Sequence, residues 1–447
     1  MMTSAQNMEE RSMGYFYFIA LVAALGGGLF GYDTAVISGT ISMVVVQFGL
    51  TPSMEGTYVG CALIGSIVGV LCSGLLFEGG GRKRSLIIAS VLYTVSAAGC
   101  AISNSFATLV LFRIVGGVGI GISAVVAPAY ISEIAPAKHR GRLVSLYQLA
   151  VTIGFLAAYI VNYFLLEYSL GATSCRDNLF TKIFIDECWR GMLFAETLPA
   201  ALFIVLVFFI PESPVWLSMR GREKQSLRME LKVISRPPIL GAVLIGAAIA
   251  ILGQFMGVNA VLYYGPSIFE KSGLASGDSL FYQVLVGLVN VVTTIIAFFI
   301  IDRVGRKKLV YFGVTGMIAT LLGIAWYFQF GQGLSNYILL TLFLLYIFFC
   351  AISICAVIFV LLAEMFPSRV RGIAMSVAEL ALWIGTWLIG QLTPIFLEVL
   401  KPQGTFLMFA IICVPYILIV WKLIPETTGK SLEEIEAYWY GKKTKTL

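Results

Sequence analysis

Long apolar runs alternate along the chain with short polar segments that carry most of the charged residues. Each run has roughly twenty residues or more, and a helix of that length, at about 1.5 Å per residue, crosses about 30 Å of hydrocarbon. The pattern predicts twelve transmembrane helices, at 15–38, 56–77, 85–103, 107–135, 143–166, 190–210, 240–266, 280–301, 309–330, 336–366, 373–398 and 404–424. The first run is too long for a signal peptide and lacks a small-residue cleavage site, so we expect it to remain as the first helix.

The composition agrees with this pattern. Hydrophobic residues make up 59% of the 447 positions and charged residues 12%, and the mean hydropathy is +0.92. Such a chain has too little polar surface to cover a water-soluble globule, which excludes that class. Its 45 glycines indicate close packing between membrane helices. We therefore predict an all-α membrane protein.

Lysine and arginine are concentrated in every second polar segment, for example at 82–84 and 303–308. Positively charged loops of membrane proteins lie on the cytoplasmic side, so both termini are expected there, in a multi-pass protein of the cell membrane. The net charge of +6 follows from this topology. It does not indicate a nucleic-acid partner.

Short motifs recur in the same order in the two halves of the chain, which is typical of a duplicated unit. The pairs are Gly81-Arg-Lys83 with Gly305-Arg-Lys307, Glu133-Ile-Ala-Pro136 with Glu364-Met-Phe-Pro367, and Pro211-Glu-Ser213 with Pro425-Glu-Thr427. The predicted organisation is an N-terminal tail, a six-helix bundle, a linker, a second six-helix bundle and a C-terminal tail, at 1–14, 15–217, 218–238, 239–425 and 426–447.

The repeated charges predict a cytoplasmic gate in which arginines beyond one helix end pair with glutamates just inside another. The candidates are Arg82, Glu133, Arg140, Glu212, Arg306, Glu364, Arg371 and Glu426. The alternative is that the cations only follow the distribution expected of cytoplasmic loops.

Four charged residues fall inside apolar spans: Asp33, Arg113, Glu196 and Glu379. An ionised side chain at the centre of a membrane helix costs at least ~2.5–3.5 kcal/mol, so such residues usually serve a function. An aspartate beside an arginine pairs with it when ionised and releases it when protonated. A permanent structural ion pair is the alternative. Glu379 is interpreted either as a substrate or proton ligand or as a contact to another helix.

Cysteine and histidine give weaker signals. Cys175 and Cys188 lie in one long loop on the predicted outer, oxidising side and are disulfide candidates, although spacing does not fix their geometry. The only histidine, His139, has no cluster of metal-ligand spacing around it, so no metal site is predicted. Gly117, Gly119 and Gly121 resemble part of a dinucleotide loop, but no strand precedes them, which favours helix packing.

Several motifs in the right order resemble those of the sugar porter family of the major facilitator superfamily, most closely the bacterial D-xylose–proton symporters. They are Phe30-Gly-Tyr-Asp-Thr-Ala-Val-Ile-Ser-Gly39, Pro128-Ala-Tyr-Ile-Ser-Glu133, Pro211-Glu-Ser-Pro214, Gln254-Phe-Met-Gly-Val-Asn259 with Tyr263-Tyr264, Asp302-Arg-Val-Gly-Arg-Lys307 and Pro425-Glu-Thr-Thr-Gly-Lys-Ser-Leu432. The resemblance implies the major facilitator fold, with twelve helices in two pseudo-symmetric six-helix bundles. It also implies a monosaccharide held between the halves at mid-membrane, with alternating access.

By matching position, the resemblance implies a set of substrate-binding residues: Phe30, Gln148, Gln254, Asn259, Tyr263, Asn290, Phe359 and Trp383. It also implies that Asp33, Arg113 and Glu196 couple transport to protons. The alternative is that the amides bond between helices and the aromatic residues only pack. Phe155, Gly253 and Leu382 stand where amide or other polar groups are expected, so the sugar specificity of the family does not carry over.

We therefore predict a proton-coupled symporter that imports a monosaccharide, a pentose or hexose resembling D-xylose, by alternating access. The alternatives are a facilitative uniporter of a sugar or polyol and, with less support, a transporter-like sugar sensor. An enzyme is not expected, because no nucleophile with a matching base is present. No cofactor is expected beyond the proton gradient. The expected partners are the sugar or polyol, the proton and the lipid bilayer, with no nucleic acid, and a monomer is expected.

Overall fold

The computed structural model describes residues 13–136, 139–172, 178–219, 237–331, 333–366 and 371–424. All regular elements within these ranges are helical. Twelve helices are long and apolar enough to cross a membrane. Each predicted span is occupied by one of them, so the predicted all-α, twelve-helix membrane fold is confirmed.

Six spans form the first half of the chain. They are α1 (Met13–Phe48), α2 (Pro52–Gly79), α3 (Arg82–Ile102), α4 (Phe106–Ile134), α5 (Arg140–Gly171) and α6, which has two segments, Cys188–Phe194 and Thr197–Phe209. A short helix, Leu179–Thr181, and a π-helical turn, Lys182–Asp186, precede α6, and a further short helix, Pro214–Met219, follows it.

The second half also supplies six spans. They are α7, in two segments (Pro237–Phe255 and Val258–Lys271), α8 (Ser276–Val304), α9 (Arg306–Phe330), α10, α11 (Arg371–Val399) and α12 (Lys401–Leu423). Helix α10 has three parts: an α-helix Asn336–Cys350, a π-helical turn Ala351–Cys355 and an α-helix Ala356–Met365.

Two of the helix breaks have a local cause in the sequence. Pro199 has no N–H to donate to the carbonyl of Ala195, and α6 is interrupted by a turn at Ala195 and Glu196. In α7 the break falls at Met256 and Gly257, and Gly257 has a φ of 97°, which favours glycine. Both breaks place polar side chains within an apolar span, because Glu196 lies in the first and Asn259 follows the second.

Glycines set the closest helix approaches in the first half. A Cβ atom added to Gly117 or Gly121 of α4 would overlap the carbonyl oxygens of Ala62 or Ser66 in α2. A Cβ on Gly154 of α5 would likewise overlap the carbonyl oxygen of Gly28 in α1. The glycines of the 117–121 segment therefore serve helix packing, as the sequence analysis favoured.

The contacts divide the chain into two compact units. The first comprises 1–222 together with 263–287, and the second comprises 223–262 together with 288–447. The sequence analysis assigned 239–425 to one bundle, whereas the structure groups Tyr263–Gly287 with the first unit. Specific contacts explain this: the Ser42 hydroxyl of α1 donates to Glu270 Oε2 at 2.7 Å, and Tyr159 of α5 bonds to Gln283 of α8.

Candidate functional site

A buried ion pair lies at the centre of the first unit. Arg113 of α4 and Asp33 of α1 are 1% and 2% exposed. Arg113 Nη1 donates to Asp33 Oδ1 at 2.5 Å and to the backbone oxygen of Asp33 at 3.1 Å. The second carboxylate oxygen of Asp33 has no hydrogen-bond partner among the described residues. This pair joins α1 to α4 and leaves one acceptor free.

Glu196 adds a second acid to this pair. It is 2% exposed, and its carboxyl lies next to that of Asp33 and within the electrostatic reach of Arg113. Its Oε1 has no hydrogen-bond partner in the described part of the chain. The break in α6 sets its position, because Glu196 occupies the turn between the two segments of that helix. The structure therefore brings together all three residues that were predicted to couple protons.

The second unit contains a cluster of neutral polar groups. Gln254 Oε1, at the end of the first segment of α7, accepts from Asn259 Nδ2 at 2.6 Å, across the Gly257 break. The same oxygen accepts from the Thr386 hydroxyl of α11 at 3.1 Å. Asn259 and Thr386 are buried. Because Gln254 uses its oxygen for these bonds, its amide NH₂ is left to donate to a ligand.

The same helix, α11, carries Trp383 and Glu379 on adjacent turns. Trp383 is buried at 4% exposure, and its indole N–H bonds to the Glu379 carboxyl. Glu379 belongs to none of the ion pairs described here, which join Arg82 to Glu133, Arg113 to Asp33 and Arg190 to Glu187. Across from α11, a Cβ on Gly253 would meet only Ile354 and Tyr416, at 3.7 Å. A Cβ atom at position 253 would therefore be in ordinary van der Waals contact with its neighbours.

The other predicted sugar contacts are divided between the units. Phe30, Gln148 and Tyr263 belong to the first unit, and Asn290 belongs to the second. Phe30 and Gln148 are half-buried, whereas Tyr263 and Asn290 are 3% and 8% exposed. The side chain of Phe359 lies outside the described residues. Thr386 was not predicted, and its signal was its spacing of three residues from Trp383 on α11.

A network of charges ties together one end of the first unit, which we call the Arg82 end (Arg82, Glu133, Glu212 and Ser213). Arg82 donates to Glu133 through Nη2 at 2.7 Å and Nε at 2.9 Å. Glu212 Oε1 accepts the backbone N–H groups of Arg82, Lys83 and Ser213 at 2.9, 3.2 and 2.9 Å. The Ser213 hydroxyl donates to Glu133. Glu212 thus caps α3, whose own N-cap, Gly81, has no side chain.

The second unit repeats part of this arrangement. Lys83 Nζ donates to the carbonyl of Phe208 at 2.8 Å, and Lys307 Nζ donates to those of Trp421 and Ile424 at 3.2 and 2.9 Å. Each lysine therefore caps the last turn of the sixth helix of its half. Of the other predicted gate residues, Arg140 is exposed and Arg306 is half-buried. The side chains of Glu364 and Arg371, and all of Glu426, lie outside the described residues.

The opposite end of the first unit, the Glu187 end, carries a second set of polar contacts (Gln47, Glu187, Trp189 and Arg190). Arg190 pairs with Glu187 and donates to the carbonyls of Ala101 and Ser103. Gln47 donates to Glu187 at 2.9 Å and accepts from the Trp189 indole at 2.6 Å. Burial raises the pKa of Glu187, but the hydrogen bonds from Gln47 and Arg190 outweigh it and hold the pKa below its usual value.

Only one of the two cysteines predicted to form a disulfide is described by the structure. Cys188 is buried and is not bridged to another cysteine among the described residues, and its Sγ lies 3.3 Å from Met43 Sδ. Cys175 lies outside the described residues. Its pairing with Cys188 stays a prediction.

The chain that carries this buried acid–base centre and the separate amide cluster is similar to known proteins. The family profile described as "Sugar (and other) transporter" matches residues 19–236 and 229–439. The chain belongs to the sugar porter family. Glucose transporter GlcP of Staphylococcus epidermidis is 38% identical to this sugar porter, covering 94% of this chain and 96% of the relative. The arabinose-proton symporter of Bacillus subtilis is 35% identical, with 96% of both chains covered.

A further relative and its solved structures support the same family. The D-xylose-proton symporter of Escherichia coli is 33% identical over 98% of both chains. A structure of that transporter, XylE, in an inward open conformation matches with a TM-score of 0.81 at 33% identity, covering 95% of this chain and all of the other. A structure of XylE bound to 6-bromo-6-deoxy-D-glucose has a TM-score of 0.77. The predicted family and the major facilitator fold are confirmed. The relatives are transporters, so this sugar porter is not an enzyme.

Proposed function

We propose that this sugar porter imports a monosaccharide together with a proton by alternating access, in the cell membrane, with both termini in the cytoplasm. The observation that carries the proposal is the buried centre of Asp33, Arg113 and Glu196, which contains two acids and one base. The named relatives support it, since two of them are called proton symporters of arabinose and D-xylose.

The charge balance of this centre favours one bound proton. With both carboxyls ionised and Arg113 positive, the three groups carry one net negative charge, and with one carboxyl protonated they are neutral. An uncompensated charge at this depth costs several kcal/mol, so the neutral state is favoured in the closed site. Losing that proton changes how firmly Arg113 is held.

The neutral cluster of the second unit supports a polyhydroxylated substrate. Gln254 and Asn259 can offer amide donors to sugar hydroxyls, and Trp383 gives an aromatic face against which a sugar ring can pack. Gln148 supplies a further amide in the first unit. The proposed substrate is a pentose or hexose resembling D-xylose. The proposal needs no cofactor other than the proton gradient.

The proposal is tested by uptake into proteoliposomes that contain the purified full-length protein. Labelled D-xylose, L-arabinose, D-glucose and myo-inositol are each offered with and without an imposed inward proton gradient, and protein-free liposomes serve as the control. We expect one or more monosaccharides to accumulate above the external concentration only when the gradient is present. Equal uptake with and without the gradient would instead support the facilitative uniporter.

A substitution in α7 tests where selectivity resides. Gly253→Gln introduces an amide beside Gln254, and the Cβ contacts at 3.7 Å show that its first carbon fits. We expect the ranking of the sugars in a competition assay to change, because one more hydroxyl can then be paired, at roughly 1 kcal/mol per bond. A uniform loss for all sugars, or an unchanged ranking in well-folded protein, would place the site elsewhere.

A further inference from the structure

Two cysteine thiols meet in the middle of α10. Cys350 ends the first α-helical part, and Cys355 ends the π-helical turn. Residues five apart do not face each other on an α-helix, but a π-turn, with its i→i+5 hydrogen bonds, stacks them on one side. Cys350 Sγ and Cys355 Sγ are accordingly 3.7 Å apart. The irregular turn is what brings the two sulfurs together.

The surroundings of the pair place it beside the amide cluster of α7 without being part of it. Cys350 is 1% exposed, whereas Cys355 is half-buried and can be reached first. The intervening Ile354 lies against the position that a side chain on Gly253 would occupy. The Ser353 hydroxyl bonds back to the carbonyl of Phe349 at 2.5 Å and leaves no room for a side chain on Gly313 of α9. The turn is thus wedged between α7 and α9.

We propose that Cys350 and Cys355 are a modification site, at which a hydroperoxide closes the pair into a disulfide that holds the π-turn and stops transport. The Cys355 sulfur attacks the peroxide, so an S–O bond forms, the O–O bond breaks and the leaving oxygen departs with a proton as water or an alcohol. The Cys350 sulfur then attacks the Cys355 sulfur. An S–S bond forms, the S–O bond breaks, and the second oxygen leaves with the Cys350 proton as water.

The geometry of the two thiols favours closure to a disulfide. A disulfide needs Cβ atoms about 3.5–4.5 Å apart and sulfurs about 2.05 Å apart, and two sulfurs already in contact need only small side-chain rotations to reach this distance. A covalent link between residues five apart is compatible with the π-turn but not with a regular α-helix. The link therefore holds α10 in the form that contains the π-turn, at a kind of irregularity that is frequent at functional sites.

The experiment uses the full-length protein in proteoliposomes treated with hydrogen peroxide. Free thiols are blocked with one alkylating reagent, disulfides are reduced, and the released thiols are labelled with a second reagent and located by mass spectrometry. We expect the second label on Cys350 and Cys355 together, and loss of uptake that a reductant restores. Phenylarsine oxide, which bridges two close thiols with release of water and needs no oxidant, is expected to protect the same two residues from the first reagent.

Cysteine variants supply the matched controls. Cys413→Ser removes a thiol of α12 that lies within electrostatic reach of Cys350, and it is expected to keep the full peroxide effect. Cys350→Ser and Cys355→Ser are each expected to abolish the reversible loss. The proposal is overturned if both thiols of the wild type take the first label after peroxide treatment. It is also overturned if the single variants lose uptake as the wild type does. The labelling result does not depend on which sugar is carried, so it stands apart from the proposed function.

Discussion

The two units of this sugar porter differ in the polar groups that they bury. The first unit contains a buried charged centre of Asp33, Arg113 and Glu196, each no more than 2% exposed. The second unit buries amides and a hydroxyl that bond to one another around Gln254. The buried acid–base centre therefore lies in one unit and the amide cluster around Gln254 lies in the other.

Under the proposed function, this difference has a physical reason. A group that carries a proton across a membrane has to change its charge, and its neighbours have to stabilise both states. A group that selects a sugar by its hydroxyls has to keep the same donors and acceptors while the proton comes and goes. Placing the two kinds of group in separate units lets each meet its own requirement. Substitutions in the first unit should therefore alter coupling, and those in the second should alter affinity.

The largest effect is expected from Asp33→Asn. Asparagine keeps the shape and one acceptor but cannot release a proton, so the variant should bind and exchange sugar without accumulating it. One proton moving down ~150 mV releases roughly 3.5 kcal/mol, at about 2.3 kcal/mol per charge per 100 mV. At 1.4 kcal/mol per tenfold, this supports accumulation on the order of a few hundredfold. The measurement is the ratio of internal to external sugar under an imposed gradient.

The matched control for this variant is Glu187→Gln, which removes an acid of the same unit that lies outside the membrane spans. It should accumulate sugar as the wild type does. Wild-type accumulation in Asp33→Asn would remove this residue from the coupling mechanism and make the facilitative uniporter the better proposal.

The opposite result, weaker sugar binding with unchanged proton coupling, is expected from Gln254→Leu. The change removes the amide that the proposed site offers to the sugar and leaves Asn259 and Thr386 without the oxygen that they share. A buried polar group without its partner costs about 1–3 kcal/mol, which corresponds to a weakening of sugar binding by roughly five- to 150-fold. The number of protons carried per sugar should not change. Binding is measured by calorimetry and the stoichiometry by reversal potential.

The milder variant Thr386→Val separates binding from folding, because it removes only one of the donors to Gln254. A smaller loss of affinity is expected, with an unchanged stoichiometry. If either variant altered the proton-to-sugar ratio, the division between the units would be wrong.

Most of the fold and the charged centre could be predicted from the sequence. The spans follow from apolar length, and Asp33, Arg113 and Glu196 are conspicuous because charges within apolar runs are costly. The break in α6 was not predicted, although Pro199 is its signal. The π-turn of α10 has no comparable signal, because no proline or glycine lies within Ala351–Cys355.

Contacts between distant segments were harder to predict. Nothing in local sequence shows that Glu212 caps α3 from a position more than a hundred residues away, or that Tyr263–Gly287 packs with the first unit. Such contacts depend on which helix ends meet in three dimensions. The periodicity of a single helix carries no information about that.

Glu379→Gln tests the division between the units, because Glu379 is an acid on the same helix as Trp383 and Thr386. Glutamine keeps an acceptor for the Trp383 indole and removes the ability to titrate. If Glu379 serves the sugar, the variant should change affinity only, by about tenfold or less, since one hydrogen bond contributes roughly 1 kcal/mol. The same calorimetry and reversal-potential measurements apply. A changed proton stoichiometry would show that the second unit also takes part in coupling.

The smallest effect is expected from Glu187→Gln on stability, and it gauges what an ordinary ion pair contributes in this protein. The pKa of Glu187 is held below its usual value in the folded state. Its contribution is therefore present above the ordinary glutamate pKa of about 4.3 and is lost as the pH falls through the lowered folded value. A partly exposed pair of this kind contributes about 1 kcal/mol or less. Thermal unfolding in detergent should show a lower midpoint for the variant at neutral pH and equal midpoints once Glu187 is protonated. A difference that persisted under acid conditions would mean that Glu187 acts through packing with Gln47 rather than through its charge.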